Sequence, residues 1–208
     1  MPARRPNHPA QSNSNKSNKS SGFVRIISGR FKGKKLPVQD SQGLRPTTDR
    51  VKETLFNWLM FNVAGAQVLD CFAGSGSLGF EALSRDAASV TMIEKNAAAA
   101  KQLKQNLAQI KQAAANADLT AQIIEQDCLS YLQKSSQSFD LVFIDPPFRL
   151  GLAEQTCQLL ATKQLVKPDS LVYVETEAEL STHFWPDNWQ IIKEKKAGQV
   201  CYRLFEVN

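Results

Sequence analysis

Residues 139–148 have the sequence Phe-Asp-Leu-Val-Phe-Ile-Asp-Pro-Pro-Phe. The apolar run Leu141–Ile144, short and rich in β-branched and aromatic side chains, predicts a buried central strand of a sheet. Proline has no backbone N–H to donate, so the two prolines that follow end the strand at Asp145. Residues 145–148 therefore form a stiff corner that carries a carboxylate, hydrogen-bond-accepting carbonyl groups and an aromatic ring. This combination is suited to binding a flat base with an exocyclic amino group.

Length and composition restrict the class of protein. The chain has 208 residues, 42% of them hydrophobic, which is enough for one substantial core. No apolar run approaches the roughly 18 residues that span a bilayer, and the amino terminus lacks the apolar segment of a secretory signal. The four cysteines show no Cys-x-x-Cys spacing and the two histidines are isolated, so we expect buried thiols and no metal site. The prediction is a cytoplasmic monomer that does not associate with membranes.

The charge is distributed unevenly along the chain. Residues 1–39 contain nine Lys or Arg and no Asp or Glu, which leaves 16 basic and 20 acidic residues for the remainder. A basic end joined to a mildly acidic body predicts that one region contacts a polyanion. Residues 1–21 have little to bury and are predicted to be a disordered basic tail, for which a purely solubilising role is the alternative.

Residues 22–208 are predicted to form one domain. It begins with a basic β-hairpin over 22–42, which is followed by a loop and a helix over 43–62 and by a Rossmann-like core over 63–208. The hairpin strands are predicted at Val24–Ser28 and Lys34–Val38. The helix is predicted to start at a cap formed by Thr47, Thr48 or Asp49 and to bury Val51, Leu55, Trp58 and Leu59.

Strands and helices alternate through the core. Strands are predicted at Gln67–Phe72, Ser89–Glu94, Ala121–Gln126, Phe139–Asp145, Ser170–Glu175, Gln190–Lys195 and Val200–Val207, and helices at Ser77–Arg85, Asn96–Ala115, after Asp127 and at Ala153–Lys163. This alternation predicts an α/β fold with a doubly wound, mostly parallel seven-stranded sheet. The expected strand order is 3-2-1-4-5-7-6, with the last strand antiparallel.

A glycine-rich turn follows the first core strand. Residues 70–79 have the sequence Asp-Cys-Phe-Ala-Gly-Ser-Gly-Ser-Leu-Gly, which places Gly-x-Gly-x-x-Gly between a predicted strand and a predicted helix. Glycines there let the backbone approach a nucleotide-type cofactor closely. Glu94 ends the second strand, where a carboxylate can hold ribose hydroxyls. The predicted cofactor contacts are Asp70, Phe72, Gly74, Ser75, Gly76, Gly79, Glu94, Lys95, Asp127 and Cys128.

Two cofactors fit the glycine loop and the ribose carboxylate. NAD would need a proton-handling residue nearby, and neither histidine lies at a predicted strand end. S-adenosylmethionine is favoured, because Asp70 can receive the cationic amino group of its methionine tail and Asp127 can accept from the adenine amine. Since strands one and four are neighbours in a doubly wound sheet, the loop and the corner meet in one site. The predicted catalytic residues are Asp145, Pro146, Pro147 and Phe148, acting in methyl transfer to an amino group.

These segments resemble a known family. Residues 45–59, Arg-Pro-Thr-Thr-Asp-Arg-Val-Lys-Glu-Thr-Leu-Phe-Asn-Trp-Leu, together with 25–29 and 70–79, are similar to the RsmD family of bacterial 16S ribosomal RNA guanine-N2 methyltransferases. The resemblance covers Phe23–Val207. It implies S-adenosylmethionine as cofactor and, as substrate, the guanine numbered 966 of 16S rRNA in the assembled or assembling small subunit. The chain departs from the family pattern at Asp86, where glycine is usual.

Basic residues near the amino terminus are the candidates for RNA binding. The predicted substrate contacts are Arg25, Arg30, Lys32, Lys34, Lys35, Arg45, Thr47, Asp49, Arg50 and Arg149. A capped helix start and a charged edge strand are the structural alternatives for most of them. The alternative functions are a DNA or protein amide methyltransferase that uses the same corner, and an RNA-binding assembly factor without catalysis.

Overall fold

The computed structural model of the chain describes residues 22–38, 49–114, 119–180 and 184–208. The strands are β1 (Phe23–Arg25), β2 (Lys35–Pro37), β3 (Gln67–Asp70), β4 (Ser89–Glu94), β5 (Ala121–Glu125), β6 (Phe139–Ile144), β7 (Val166–Glu177), β8 (Trp189–Ala197) and β9 (Val200–Val207). The helices are α1 (Asp49–Trp58), α2 (Ser77–Ser84), α3 (Ala97–Ala113), α4 (Cys128–Lys134) and α5 (Leu152–Thr162). The predicted tail over 1–21 lies outside the described residues.

Within the described residues, seven strands form one sheet in the order β5-β4-β3-β6-β7-β9-β8. Strands β3 to β7 pair in parallel, and β9 is antiparallel to both of its neighbours. Counted from β3 as the first strand, the order is 3-2-1-4-5-7-6. The predicted α/β class, strand order and antiparallel last strand are therefore confirmed.

Both faces of the sheet are covered by helices, and each face has its own apolar cluster. One cluster packs α1, α2 and α3 against side chains such as Leu141, Phe143 and Tyr173. The other packs α4 and α5 against Val142, Ile144 and their neighbours. Leu141 to Ile144 are fully buried, as predicted for a central parallel strand that alternates between two covered faces. Among the described residues, no helix is long and apolar enough to cross a membrane.

A buried polar cluster joins the hairpin β1–β2 to helices α1 and α2. Lys52 Nζ donates to the Arg25 carbonyl oxygen at 2.5 Å and lies 4.0 Å from Glu81 Oε2. Glu81, fully buried, also accepts from Ile27 N at 2.8 Å and from Arg85 Nε at 2.8 Å. Burial lowers the pKa of Lys52, and Glu81 opposes that shift. The cluster fixes the hairpin relative to the core.

A second contact involves Ser84 at the end of α2. Its hydroxyl donates to the Ser28 carbonyl oxygen at 2.6 Å and accepts from Phe31 N at 3.0 Å, and its own carbonyl accepts from Arg30 N at 2.7 Å. A Cβ on Gly29 (φ +76°) would lie 1.8 Å from that carbonyl oxygen. Glycine is therefore required for the turn of the hairpin to reach the helix.

The structure differs from the predicted elements in a few places. Helix α1 buries Lys52, Leu55 and Phe56, whereas the predicted face included Val51 and Trp58, which are only half-buried. Phe56 is inside because its ring meets Phe143 edge-on at 5.9 Å. Strands β1 and β2 are shorter than predicted. Strand β3 ends at residue 70, and β7 begins at residue 166 instead of 170.

Candidate active site

The glycine loop connects β3 to α2 at the carboxyl edge of the sheet. Gly74 and Gly76 have φ values of +52° and +79°, which glycine adopts without strain. A Cβ on Gly76 would come within 2.5 Å of the Phe80 ring, and one on Gly79 within 2.6 Å of Met92. Gly76 and Gly79 are thus needed for packing beneath the loop, while Gly74 and Ser75 are half-buried at its surface.

Asp70 ends β3 directly below the loop and is almost completely buried. Its Oδ2 accepts from Gly79 N at 3.0 Å. Burial raises the pKa of Asp70 to about 7, with a further contribution from Glu94, while backbone N–H groups of Gly79 and Phe72 lower it. A cationic group bound beside this carboxyl would stabilise its ionised form. This buried acceptor therefore fits a ligand that carries an ammonium group.

Glu94 is the last residue of β4, and its side chain contacts the backbone of the glycine loop. Its Oε2 accepts from Gly74 N at 2.8 Å, and its Oε1 accepts from Asn96 N at 2.7 Å. Each carboxylate oxygen has two acceptor sites, so these bonds orient the group while leaving acceptor capacity for hydroxyl donors. The residue thus sets the conformation of the loop as well as the position of an acceptor next to it.

Asp127 follows β5 and caps helix α4. Its Oδ1 accepts from Ser130 N at 3.0 Å, and its Oδ2 lies 3.8 Å from Lys95 Nζ, whose side chain is 80% exposed. The Cys128 side chain is buried in the core. Any contact of Cys128 with a ligand at this edge is therefore limited to its backbone. Phe72, the remaining predicted cofactor residue, is half-buried beside the loop.

The corner formed by residues 145–148 lies one strand away from the glycine loop. Asp70 is in register with Phe143 of β6, and Cys71 N donates to the Phe143 carbonyl oxygen at 3.0 Å. Asp145 and Phe148 are half-buried, Pro146 is buried, and Pro147 is exposed. Because neighbouring strands lie about 4.8 Å apart, the loop and the corner face one another across a single strand spacing.

The loop after the corner is held by β7. Arg149 has a φ of +64° and donates its backbone N–H to Glu177 Oε1. This conformation is uncommon for a residue with a side chain, and the bond to Glu177 ties the loop to β7. The Arg149 side chain is exposed, next to Leu150, which is 60% exposed. The rim of the site therefore presents one cation and one apolar side chain to solvent.

The predicted RNA contacts lie on the hairpin and at the start of α1. Arg25 pairs with Asp49 at 2.7 Å, and Arg30 pairs with Asp86 at 3.2 Å. Lys34 Nζ lies 3.5 Å from the Gln109 carbonyl oxygen, and Lys35 Nζ is 4.5 Å from the centre of the Phe23 ring. Lys32 and Arg50 are exposed, whereas Arg45 and Thr47 lie outside the described residues.

The hairpin adjoins the glycine loop. Pro37 and Val38, at the end of β2, line a shallow pocket together with Gly74 and Ser75. The Asn106 side chain of α3, fully buried, donates to the Pro37 carbonyl oxygen at 2.9 Å. The basic hairpin and the candidate cofactor loop therefore lie side by side.

The buried carboxylate of Glu175, at this edge, was not among the predicted site residues. Glu175, near the end of β7, is 7% exposed, and Tyr173 Oη donates to its Oε1 at 2.7 Å. It follows the apolar residues of the fifth core strand, so the argument that singled out Asp70 and Asp145 at strand ends applies to it as well.

Comparison with known proteins agrees with this arrangement. A family model described as conserved hypothetical protein 95 matches residues 24–206. The chain belongs to this family. It is 50% identical over 187 residues to the ribosomal RNA small subunit methyltransferase D of Haemophilus influenzae, covering 89% of this chain and 94% of that protein. The predicted membership in the RsmD family is confirmed.

Solved structures share the fold. The yhhF structure from Escherichia coli has 48% sequence identity and a TM-score of 0.80, covering 90% of this chain and 99% of that chain. A Thermus thermophilus 16S rRNA N2 G1207 methyltransferase, in complex with AdoMet and guanosine, has 21% identity and a TM-score of 0.62, covering 90% of this chain and 50% of that chain. The second likeness shows the fold alone. Family membership and the 50% identity to methyltransferase D establish this chain as a methyltransferase.

Proposed function

We propose that this methyltransferase modifies 16S rRNA in the small ribosomal subunit, at the exocyclic N2 of a guanine. The observation that carries the proposal is the position of the corner 145–148 one strand away from the glycine loop. A methyl donor bound at the glycine loop and a planar amine bound at the corner would meet at the carboxyl edge of the sheet. Guanine 966 is the position implied by the RsmD family, and a ribosomal substrate would locate the protein in the cytoplasm.

The acidic side chains at this edge are the proposed ligands of the cofactor. Asp70 would bind the amino group of the methionine tail, Glu94 the ribose hydroxyls, and Asp127 the adenine amine. Phe72, Gly74 and Ser75 would contact the cofactor from the loop, and Lys95 would lie at its rim. When bound, S-adenosylmethionine supplies an activated methyl group on a sulfonium.

The corner would orient the amine and make it nucleophilic. The lone pair of an exocyclic amine is delocalised into the base, and acceptors at Asp145 and at the Pro146 carbonyl would draw both N–H groups and favour a pyramidal nitrogen. Phe148 would stack on the base, a contact worth about 1–3 kcal/mol. In the transfer the nitrogen gains the methyl group and loses one proton. Asp145 fits two roles, hydrogen-bond acceptor and proton acceptor.

The basic hairpin is the proposed RNA-binding surface. Lys32 and Lys35 are exposed there, and Arg25 and Arg30 are only about half covered by their ion pairs. Phosphate contacts position a nucleic acid without specifying its sequence, which matches a basic surface beside the site. The target base must lie in a loop or be turned out of its helix to reach the corner.

Methyl transfer to small subunits tests the proposal. Purified enzyme and S-adenosylmethionine are added to subunits from a strain that lacks the enzyme, and the methylated nucleotide is located by mass mapping. We expect one N2-methylguanosine in 16S rRNA, and Asp145→Ala should abolish transfer while leaving cofactor affinity nearly unchanged. Labelling of DNA or of a protein amide, with unlabelled subunits, would show that another amine is the substrate.

A further inference from the structure

Glu175 lies beside the proposed catalytic corner. Ile144 of β6 is in register with Val174 of β7, so Asp145 and Glu175 occupy the same level of the sheet on adjacent strands. Two residues earlier, Phe143 and Tyr173 meet edge-on on one face, with ring centroids 6.4 Å apart. Because side chains alternate along a strand, Glu175 lies on that same face of β7, and Asp145 directly follows the end of β6 beside it.

Both carboxylates act on the hydroxyl of Tyr173. Burial raises the pKa of the Tyr173 hydroxyl well above its usual range, and Glu175 and Asp145 both contribute to the increase. Tyr173 Oη donates to Glu175 Oε1 at 2.7 Å, which fixes the orientation of the carboxylate. Burying a carboxylate is costly, so its position at the site needs a functional or structural reason.

The Watson–Crick edge of guanine offers such a reason. It presents two neighbouring donors, N2–H and N1–H, whereas adenine has an acceptor at N1. The backbones of adjacent strands are about 4.8 Å apart. Acceptors carried on two such strands can each take a bond of about 2.9 Å from one of two neighbouring donors. When the N2 amine of guanine is held at Asp145, the neighbouring N1–H would therefore point toward Glu175.

We propose that Glu175 accepts the N1–H of the target guanine and so selects guanine against bases with an acceptor at that position. This inference rests on the proposed function, since it assumes that the N2 amine lies at Asp145. If the base has an acceptor at that position, two buried acceptors face each other with no hydrogen between them. A site built to receive a donor rejects such a base strongly. Tyr173 is then a positioning residue, because it acts through the orientation of Glu175.

Glu175→Gln tests the inference with two substrates. Small subunits are reconstituted on ligated 16S rRNA that carries either guanosine or 2-aminopurine riboside at the target position. Both bases have the amino group, but 2-aminopurine has an acceptor at N1. We expect kcat/KM for guanosine to fall by about 10²-fold. Transfer to 2-aminopurine should become detectable or rise, because the glutamine amide can donate to N1.

Controls separate this effect from loss of structure. Glu206→Gln makes the same chemical change on β9, in register with Leu171, and should leave both rates unchanged. Tyr173→Phe keeps the carboxylate but removes the bond that orients it, so kcat/KM for guanosine should fall up to about tenfold, with weaker discrimination between the bases. Affinity for S-adenosylhomocysteine, measured by calorimetry, should be the same in all variants.

Two results would overturn the inference and leave the proposed function standing. The first is that Glu175→Gln methylates guanosine at an unchanged rate. The second is that, in this variant, transfer to 2-aminopurine stays undetectable or falls in proportion to transfer to guanosine. A wild-type enzyme that fails to methylate guanosine-containing subunits would refute the proposed function, and the assignment of Glu175 with it.

Discussion

The pKa of Asp70 leads to a prediction about cofactor binding. Burial raises this pKa to about 7, and the proposed partner of the carboxyl is the cationic amino group of the methionine tail. Below pH 7 the carboxyl takes up a proton and no longer attracts that group. The ionised fraction falls by about an order of magnitude between pH 7.5 and pH 6, so the affinity of the ligand-free enzyme should fall by a similar factor.

Calorimetry with two ligands isolates the effect. S-adenosylhomocysteine carries the amino group and should bind about tenfold more weakly at pH 6 than at pH 7.5. Methylthioadenosine lacks the amino-acid tail and should bind equally well at both pH values. Asp70→Asn should weaken S-adenosylhomocysteine binding at pH 7.5 by roughly 1.5–3 kcal/mol, the value of a charge-assisted hydrogen bond, and should remove the pH dependence. A pH-independent affinity in the wild type, or the same dependence for methylthioadenosine, would refute the reasoning.

Three further predictions concern stability and RNA binding. Lys52→Met removes the ammonium group that donates to the Arg25 carbonyl, while Glu81 keeps its pair with Arg85, so the free energy of unfolding in urea titrations should fall by about 1–3 kcal/mol; an unchanged value would contradict this. Asp86→Gly removes a residue at φ +65° and an exposed pair with Arg30, so thermal unfolding should show a net change within about 1 kcal/mol. Lys32→Ala with Lys35→Ala should weaken binding to small subunits and reduce its salt dependence, whereas Lys163→Ala with Lys167→Ala should not; equal effects would argue against the hairpin as the RNA surface.

The sheet could be predicted from sequence because each central strand is marked locally. Ser89–Glu94 was predicted with its observed bounds, since an apolar run there is followed by a helix cap at Asn96. The start of β7 was not predicted, because Pro168 and Asp169 indicate a turn. In the structure Val166 pairs with Phe139, and the register shifts before Leu141. Only the neighbouring strand reveals that pairing.

The packing of the hairpin and α1 could not be predicted in the same way. Lys52 is 1% exposed because Glu81, on another helix, and the Arg25 carbonyl surround its ammonium group. Lysine is rarely buried without such partners, and nothing in the local sequence around Lys52 indicates them. Phe56 is similar, since its burial depends on Phe143 far along the chain. These errors of face assignment arise from tertiary contacts, which helical periodicity does not encode.

The candidate site was predicted from carboxylates at strand ends, and the structure extends that rule. An acidic residue lies within two residues of the end of each of the parallel strands β3 to β7, and these are Asp70, Glu94, Asp127, Asp145 and Glu175. Glu94 adds to the raised pKa of Asp70, so these two carboxylates repel one another. Such an edge repels phosphate, while the hairpin beside it attracts phosphate. A nucleic acid would therefore bind with its backbone on the hairpin and would offer the edge only a base rich in N–H donors. The uneven charge of the chain would thus orient the RNA before any base is recognised.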